Sequence, residues 1–250
     1  MSVKKTFRCD LGKENYSQLN NKINPNNTCN STSMVMALDY MGYKFPDDIF
    51  PEYEQPEDKL TMLCYTDEEV KEFYKKLSAP MYNQWIAEMD KIKKENPDLP
   101  LKDYRFVDSY PPNEVHAVLS FATNKFVGKE DATYFKEKSS VQEIVKELTD
   151  NKPVVVSVKF GNLNHVLTLT GVEIETENEG ESWTPTRFFA DDTFGRFNMK
   201  TKKYDKTSGN DSEFAVDELI AFNASLSNSI YGKSTTVQPP AIYVNYIIKC

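Results

Sequence analysis

The run Asn24-Pro25-Asn26-Asn27-Thr28-Cys29-Asn30-Ser31-Thr32-Ser33-Met34-Val35-Met36-Ala37-Leu38 passes from a polar turn into a helix, and the passage falls on a single cysteine. Met34, Leu38 and Met41 share one face of residues 30–42, and Gly42 supplies the stop. Cys29 therefore stands in the first helical turn. Unpaired N–H groups and the positive end of the helix dipole favour thiolate over thiol there. Thiolate is the nucleophilic form, so the position suits covalent catalysis. Gln18, a short way upstream, brings an amide side chain to the same region.

A nucleophilic cysteine needs a base, and the chain has two histidines. His116 sits in Pro112-Asn113-Glu114-Val115-His116-Ala117-Val118-Leu119, on an expected helix among apolar residues, and reads as structural. His165 begins Asn164-His165-Val166-Leu167-Thr168-Leu169-Thr170-Gly171-Val172, a loop entering a strand with both faces partly buried. Phe188-Phe189-Ala190-Asp191-Asp192-Thr193-Phe194-Gly195 reads as a second strand ending in paired carboxylates and a glycine turn. If the two strands are neighbours, Asp191 or Asp192 can orient the imidazole and stabilise its charged form. The same pair also suits a plain turn. Cysteine is among the most buried residue types, so Cys9, Cys64 and Cys250 read as core residues or surface thiols.

These blocks resemble the papain-like cysteine peptidases of the bacteriocin-processing (double-glycine leader) type, and more closely their stand-alone bacterial and phage relatives. In that group a glutamine precedes a Cys-x-x-(Ser/Thr)-(Ser/Ala) helix start, similar to Gln18 and Cys29 to Ser33 here. Lys152-Pro153-Val154-Val155-Val156-Ser157-Val158 with Asn164 to Val172 is similar to the strand pair bearing the family's histidine. Asp191-Asp192-Thr193-Phe194-Gly195 resembles its Asn-Asp-Pro-Tyr-Gly block. The resemblance implies Cys29 as nucleophile, His165 as base, Asp192 as orienter and Gln18 as oxyanion-hole donor. His165 lies 136 residues after Cys29, within the spacing of about 130–150 residues seen in papain-type enzymes. The matched blocks leave residues 43–138 uncovered. Asn30 and Ser31 stand where many relatives have glycine and proline, and Thr193 stands in place of the proline of the aspartate block.

Composition narrows the alternatives. With 250 residues the chain can bury a substantial core. A net charge of −8 without a basic run disfavours a general nucleic-acid binder. Four cysteines without a Cys-x-x-Cys pair, together with two histidines, form no zinc pattern. No metal and no cofactor is expected. The first ten residues lack an apolar signal core, and no apolar run approaches membrane-spanning length. The expectation is a cytoplasmic or virion-associated protein whose partners are a peptide or protein substrate and a phage or bacterial protein, with no membrane or nucleic acid.

The chain shows no repeat or low-complexity tract. Helices are expected at 66–77, 81–95 (around Trp85, Ile86, Met89 and Ile92), 113–123, 139–148 and 214–222. Strands are expected at 153–160, 165–175, 186–192, about 195–200 and 242–249. Pro46–Lys59, Pro97–Pro112 (with a possible short strand) and Thr201–Ser212 read as loops. Helices first and an antiparallel sheet second is an α+β order. It is also the papain-like division, here one domain over 1–250 with a mainly helical lobe (1–150), a mainly β lobe (151–250) and the site between them. The function that follows is a cysteine peptidase working through a Cys29 acyl-enzyme. A peptidoglycan-cleaving amidase or endopeptidase, or a non-catalytic papain-like binding or virion protein, are the alternatives.

Overall fold

A computed structural model describes residues 3–106, 108–137, 139–160, 163–177, 182–217, 219 and 247–248. A first strand, β1 (Val3–Arg8), leads through a 3-10 turn at Gln18–Asn20 to α1 (Cys29–Tyr40), α2 (Pro56–Thr66), α3 (Glu68–Leu77) and α4 (Ala79–Glu95). Two further 3-10 turns, Leu101–Asp103 and Pro112–Glu114, precede α5 (His116–Phe126), β2 (Thr133–Tyr134) and α6 (Val141–Thr149). Strands then dominate: β3 (Val154–Phe160), β4 (Leu163–Glu177), β5 (Ser182–Asp191), β6 (Arg196–Asn198), β7 (Lys203–Asp205), β8 (Ser212–Ala215) and β9 (Ile247–Ile248).

The fold is α+β, and its sheet is antiparallel throughout. β4 is its axis. β5 runs along one edge of β4 and β8 extends the sheet beyond it. On the other edge two strands share β4 end to end. β3 pairs with Leu163–Leu169 and β1 with Gly171–Thr176. The changeover needs Gly171, because a Cβ there would sit 2.3 Å from the Phe7 carbonyl. Each face of the sheet carries its own core. Val155 and Val166 join the helical cluster of Met34, Val35, Leu38, Leu60, Leu63, Trp85 and Leu119. On the opposite face Ile144, Val145 and Leu148 of α6 pack with Val154, Val156, Leu167, Leu169 and Phe188. The helical cluster extends well beyond one stripe because α1 is buried almost all round, as a central helix must be.

Several local expectations change. Residues 56–59, expected to be loop, open α2, because Pro56 at its first turn and Glu57 and Asp58 behind it suit a helix N-terminus. Among the described residues 97–112 hold two 3-10 turns and no strand. Of the expected 214–222 helix, Phe214 and Ala215 instead end β8, held by pairing to Arg187–Ala190, while 216, 217 and 219 are helical. The remainder of the expected 214–222 helix lies largely outside the described residues. So does the 242–249 strand except for Ile247 and Ile248, which pair with Tyr134 and Thr133. The 201–212 segment contains β7, paired with β6 in a short hairpin.

Candidate active site

The turn that delivers Cys29 is fixed before the helix begins. Asp58 accepts the backbone N–H groups of Lys22 and Ile23 at 2.9–3.1 Å. Asn21 Nδ2 donates to both Thr28 Oγ1 and Thr32 Oγ1 at 2.9 Å, pinning the turn to the helix it precedes. Asn24 takes the left-handed conformation (φ 40°) that asparagine tolerates better than most residues. Cys29 is the first residue of α1, half-buried and without a disulfide. The helix is stitched to the sheet by Ser33, whose Oγ donates to the Val166 carbonyl at 3.1 Å and whose carbonyl accepts from Thr168 Oγ1 at 3.1 Å. That suture lies one residue beyond His165.

His165 pairs in register with Val158 of β3, and its ring is buried. Its Nε2 lies 2.6 Å from Asp192 Oδ1, and the same oxygen accepts the Phe194 N–H at 2.9 Å. The Cys29 sulfur is near enough to the ring to help stabilise its charged form. With Nε2 engaged by Asp192, Nδ1 is the nitrogen left to face it. Burial opposes charge on this imidazole, but the adjoining carboxylate and the sulfur outweigh it. They raise the His165 pKa to about 10. Asp191, the alternative carboxylate, points elsewhere. It accepts Tyr40 Oη at 2.6 Å and the Asp211 N–H at 2.9 Å. His116 stands apart from the cluster at the start of α5, with Nε2 3.0 Å from Ser157 Oγ, and burial lowers its pKa to about 4.

Gln18 is 1% exposed, and its amide is fixed at both ends. Oε1 accepts from Thr193 Oγ1 at 2.9 Å, and Nε2 donates to the Pro25 carbonyl at 2.9 Å. The backbone repeats the link, since Gln18 N–H donates to the Thr193 carbonyl at 2.9 Å. A carbonyl only accepts, so the Pro25 bond sets which end of the amide is nitrogen, and one N–H of Nε2 remains for another acceptor. Thr193 directly follows Asp192. The histidine's carboxylate and the glutamine's anchor are thus consecutive residues.

Tyr204 of β7 was hidden in a segment read as loop. Its ring meets His165 edge-on at 5.8 Å between centroids, and also Phe194 at 5.1 Å and Phe197 at 5.0 Å. Its hydroxyl is closed off from solvent near Asp192, whose Oδ2 is likewise buried, and neither atom has a hydrogen-bond partner among the described residues. Burial and the Asp192 carboxylate hold the phenol far above its usual pKa. The hairpin therefore roofs the His165–Asp192 pair. The signal in the sequence was modest: Arg196-Phe197-Asn198 and Lys203-Tyr204-Asp205 each place one aromatic residue between polar neighbours.

A family model, the Peptidase_C39 like family, matches residues 11–216. The chain belongs to this family. Neither a curated protein nor a solved structure matches it. Membership supports a cysteine-peptidase kind of function, and the matched span contains every residue of the cluster just described.

Against that C39-like background, the chain's own substitutions have visible partners. Asn30 Nδ2 donates to the Asn113 carbonyl at 2.6 Å, and Ser31 Oγ accepts from Thr61 Oγ1 at 2.9 Å. The two residues after the cysteine thus tie α1 to the 112–114 turn and to α2. Outside the cluster, Asp10, Asp191 and Asp211 bring carboxylate oxygens within 4.8 Å of one another. Arg8 already pairs with Asp10 and Asp211 there, so the charge is met by a side chain. No helix among the described residues is long and apolar enough to cross a membrane.

Proposed function

We propose that this C39-like chain is a thiol-dependent hydrolase that cuts a peptide amide, with Cys29 as nucleophile, His165 as base, Asp192 as orienter and Gln18 as oxyanion donor. One observation carries the reading: the His165 ring holds Asp192 at 2.6 Å on Nε2, and the Cys29 sulfur at the start of α1 adds to the stabilisation of the charged ring. Proton transfer from Cys29 to Nδ1 gives a thiolate–imidazolium pair, which the elevated His165 pKa favours. The sulfur attacks the carbonyl carbon, and the oxyanion is met by the Cys29 backbone N–H and the free N–H of Gln18. Collapse breaks the C–N bond while the imidazolium protonates the leaving amine. Neutral His165 then takes a proton from water, hydroxide adds to the thioester, and the thiol departs with the proton returned.

The test is hydrolysis of a peptide library by the full chain. Cys29→Ala should abolish cleavage, and His165→Ala should slow alkylation of Cys29 by iodoacetamide at neutral pH at least tenfold. Undiminished cleavage by Cys29→Ala refutes the mechanism. Alkylation indifferent to His165, in a chain that cuts nothing, favours the binding-protein alternative.

A further inference from the structure

Beside the nucleophile's turn lies a cleft of about 420 Å³, lined by Asn27, Phe106, Asp108, Ser109, Tyr110 and Glu114. That is room for one side chain and its surroundings, within the ordinary range of ligand pockets. Two short links of chain connect its lining to the Cys29 turn. Asn27 is two residues upstream of the cysteine, and Glu114 follows Asn113, whose carbonyl holds Asn30 at 2.6 Å.

The lining carries two carboxylates and no basic side chain. Neither Asp108 nor Glu114 forms an ion pair with a described residue. Glu114 is substantially buried, and burial alone raises its pKa to about 7. Ser109 supplies an independent sign of a missing partner. It is 7% exposed, and its Oγ makes no hydrogen bond although it lines the cleft. A buried hydroxyl without a partner is costly, as is a buried carboxylate without a counter-charge. Tyr110, 53% exposed, adds an aromatic wall that a cation can use. A second cleft along the same turn is mainly basic, with Lys22, Lys102 and Arg105 against the single acid Asp103.

We infer that the Asp108–Ser109–Glu114 cleft is a substrate subsite for a cationic side chain, so that the peptide cut at Cys29 carries a lysine or arginine close to the scissile bond. The inference rests on the hydrolase reading. An ammonium or guanidinium group meets all three unsatisfied features: it pairs with Glu114, donates to Ser109 Oγ and lies against Tyr110. Asp108, more exposed, adds long-range attraction at the mouth.

Two randomised peptide libraries decide it, identical except that one carries citrulline wherever the other carries arginine, with cleavage read by mass spectrometry. Citrulline keeps the shape of arginine, exchanges one NH2 donor for a carbonyl oxygen and removes the charge. Wild type should cut arginine peptides at least tenfold faster, with arginine concentrated at one position relative to the cut. In Glu114→Gln that ratio should fall to near one. In Asp108→Asn, an exposed change that leaves the core untouched, it should fall about threefold. A ratio near one in wild type, or a tenfold ratio kept by Glu114→Gln, overturns the subsite and leaves the hydrolase standing. A wild-type chain that cuts neither library overturns the hydrolase reading and the subsite with it.

Discussion

Thr193→Val removes one hydroxyl from the centre of the candidate site and little else. The Thr193 Oγ1–Gln18 Oε1 bond is 2.9 Å long, and both residues are 1% exposed, so water cannot replace the lost donor. Leaving a buried acceptor unsatisfied costs about 1–3 kcal/mol of stability. In a chain of 250 residues that lowers the melting temperature by roughly 2–4 °C per kcal/mol. The larger consequence is for rate. The Gln18 side chain retains only the Pro25 bond, while its backbone bond to Thr193 persists, and its free N–H is no longer held in one direction. Complete loss of an oxyanion donor costs about 3–4 kcal/mol of barrier, roughly 10²–10³ in kcat, and Gln18→Ala should show that loss. Thr193→Val should fall short of it, at about 10- to 30-fold in kcat with KM little changed, since the effect belongs to the transition state. The decisive assay is the double mutant: in a Gln18→Ala background, Thr193→Val should lower kcat no further. Additive losses would refute the claim that Thr193 works through Gln18.

The remaining expectations follow from other contacts. The alkaline limb of the kcat profile should lie near pH 10, where the His165 imidazolium is lost, and Asp192→Asn should move it to lower pH. Stability should also fall with rising pH, because Glu57 (raised by burial to about 7), Asp191 (about 6) and His165 (about 10) all bind protons more tightly folded than unfolded. Their contributions are complete below the unfolded values near 4 and 6.5 and disappear through those folded ones, so urea denaturation at pH 6 and 10 should show the loss. Tyr204→Phe should retain the fold and lower kcat several-fold while the downfield His165 ring-proton signal shifts; an unmoved signal would mean that the hydroxyl does not touch the pair. Gly209→Ala should destabilise the chain by about 1–3 kcal/mol and lower kcat, because its Cβ would fall 1.8 Å from the Asp192 carbonyl. Wild-type melting and rate in that variant would contradict the packing.

Part of the candidate site carries a local signal in the sequence, and part, the choice of Asp192 and of Gln18, was named only through the family resemblance. Cys29 before an apolar helix, His165 before an apolar strand and Asp192 after one each carry a local pattern, and His165 and Asp192 meet at 2.6 Å. Which of two adjacent carboxylates meets the imidazole was not local: Asp191 completes the pairing opposite Thr168 and turns to Tyr40, and only the strand's end frees Asp192 for His165. The N-terminal strand was likewise invisible, because Val3–Arg8 alternates weakly and is specified by β4 more than 160 residues away. Tyr204 escaped because strands of three residues are too short to show a period. In α2 the polar first turn, Pro56-Glu57-Asp58, resembled the acidic loop before it.

The His165 roof has a consequence for biosynthesis. Cys29 is made early, whereas the carboxylate, the β7 aromatic residue and the glycine that seats that carboxylate are all translated after residue 190. A ribosome-bound chain can form the thiol-bearing helix and still lack the acid and the cover. Premature termination before Gly209 should therefore yield a cysteine protein with no competent proton relay, so that activity is withheld until nearly the whole matched span has left the exit tunnel.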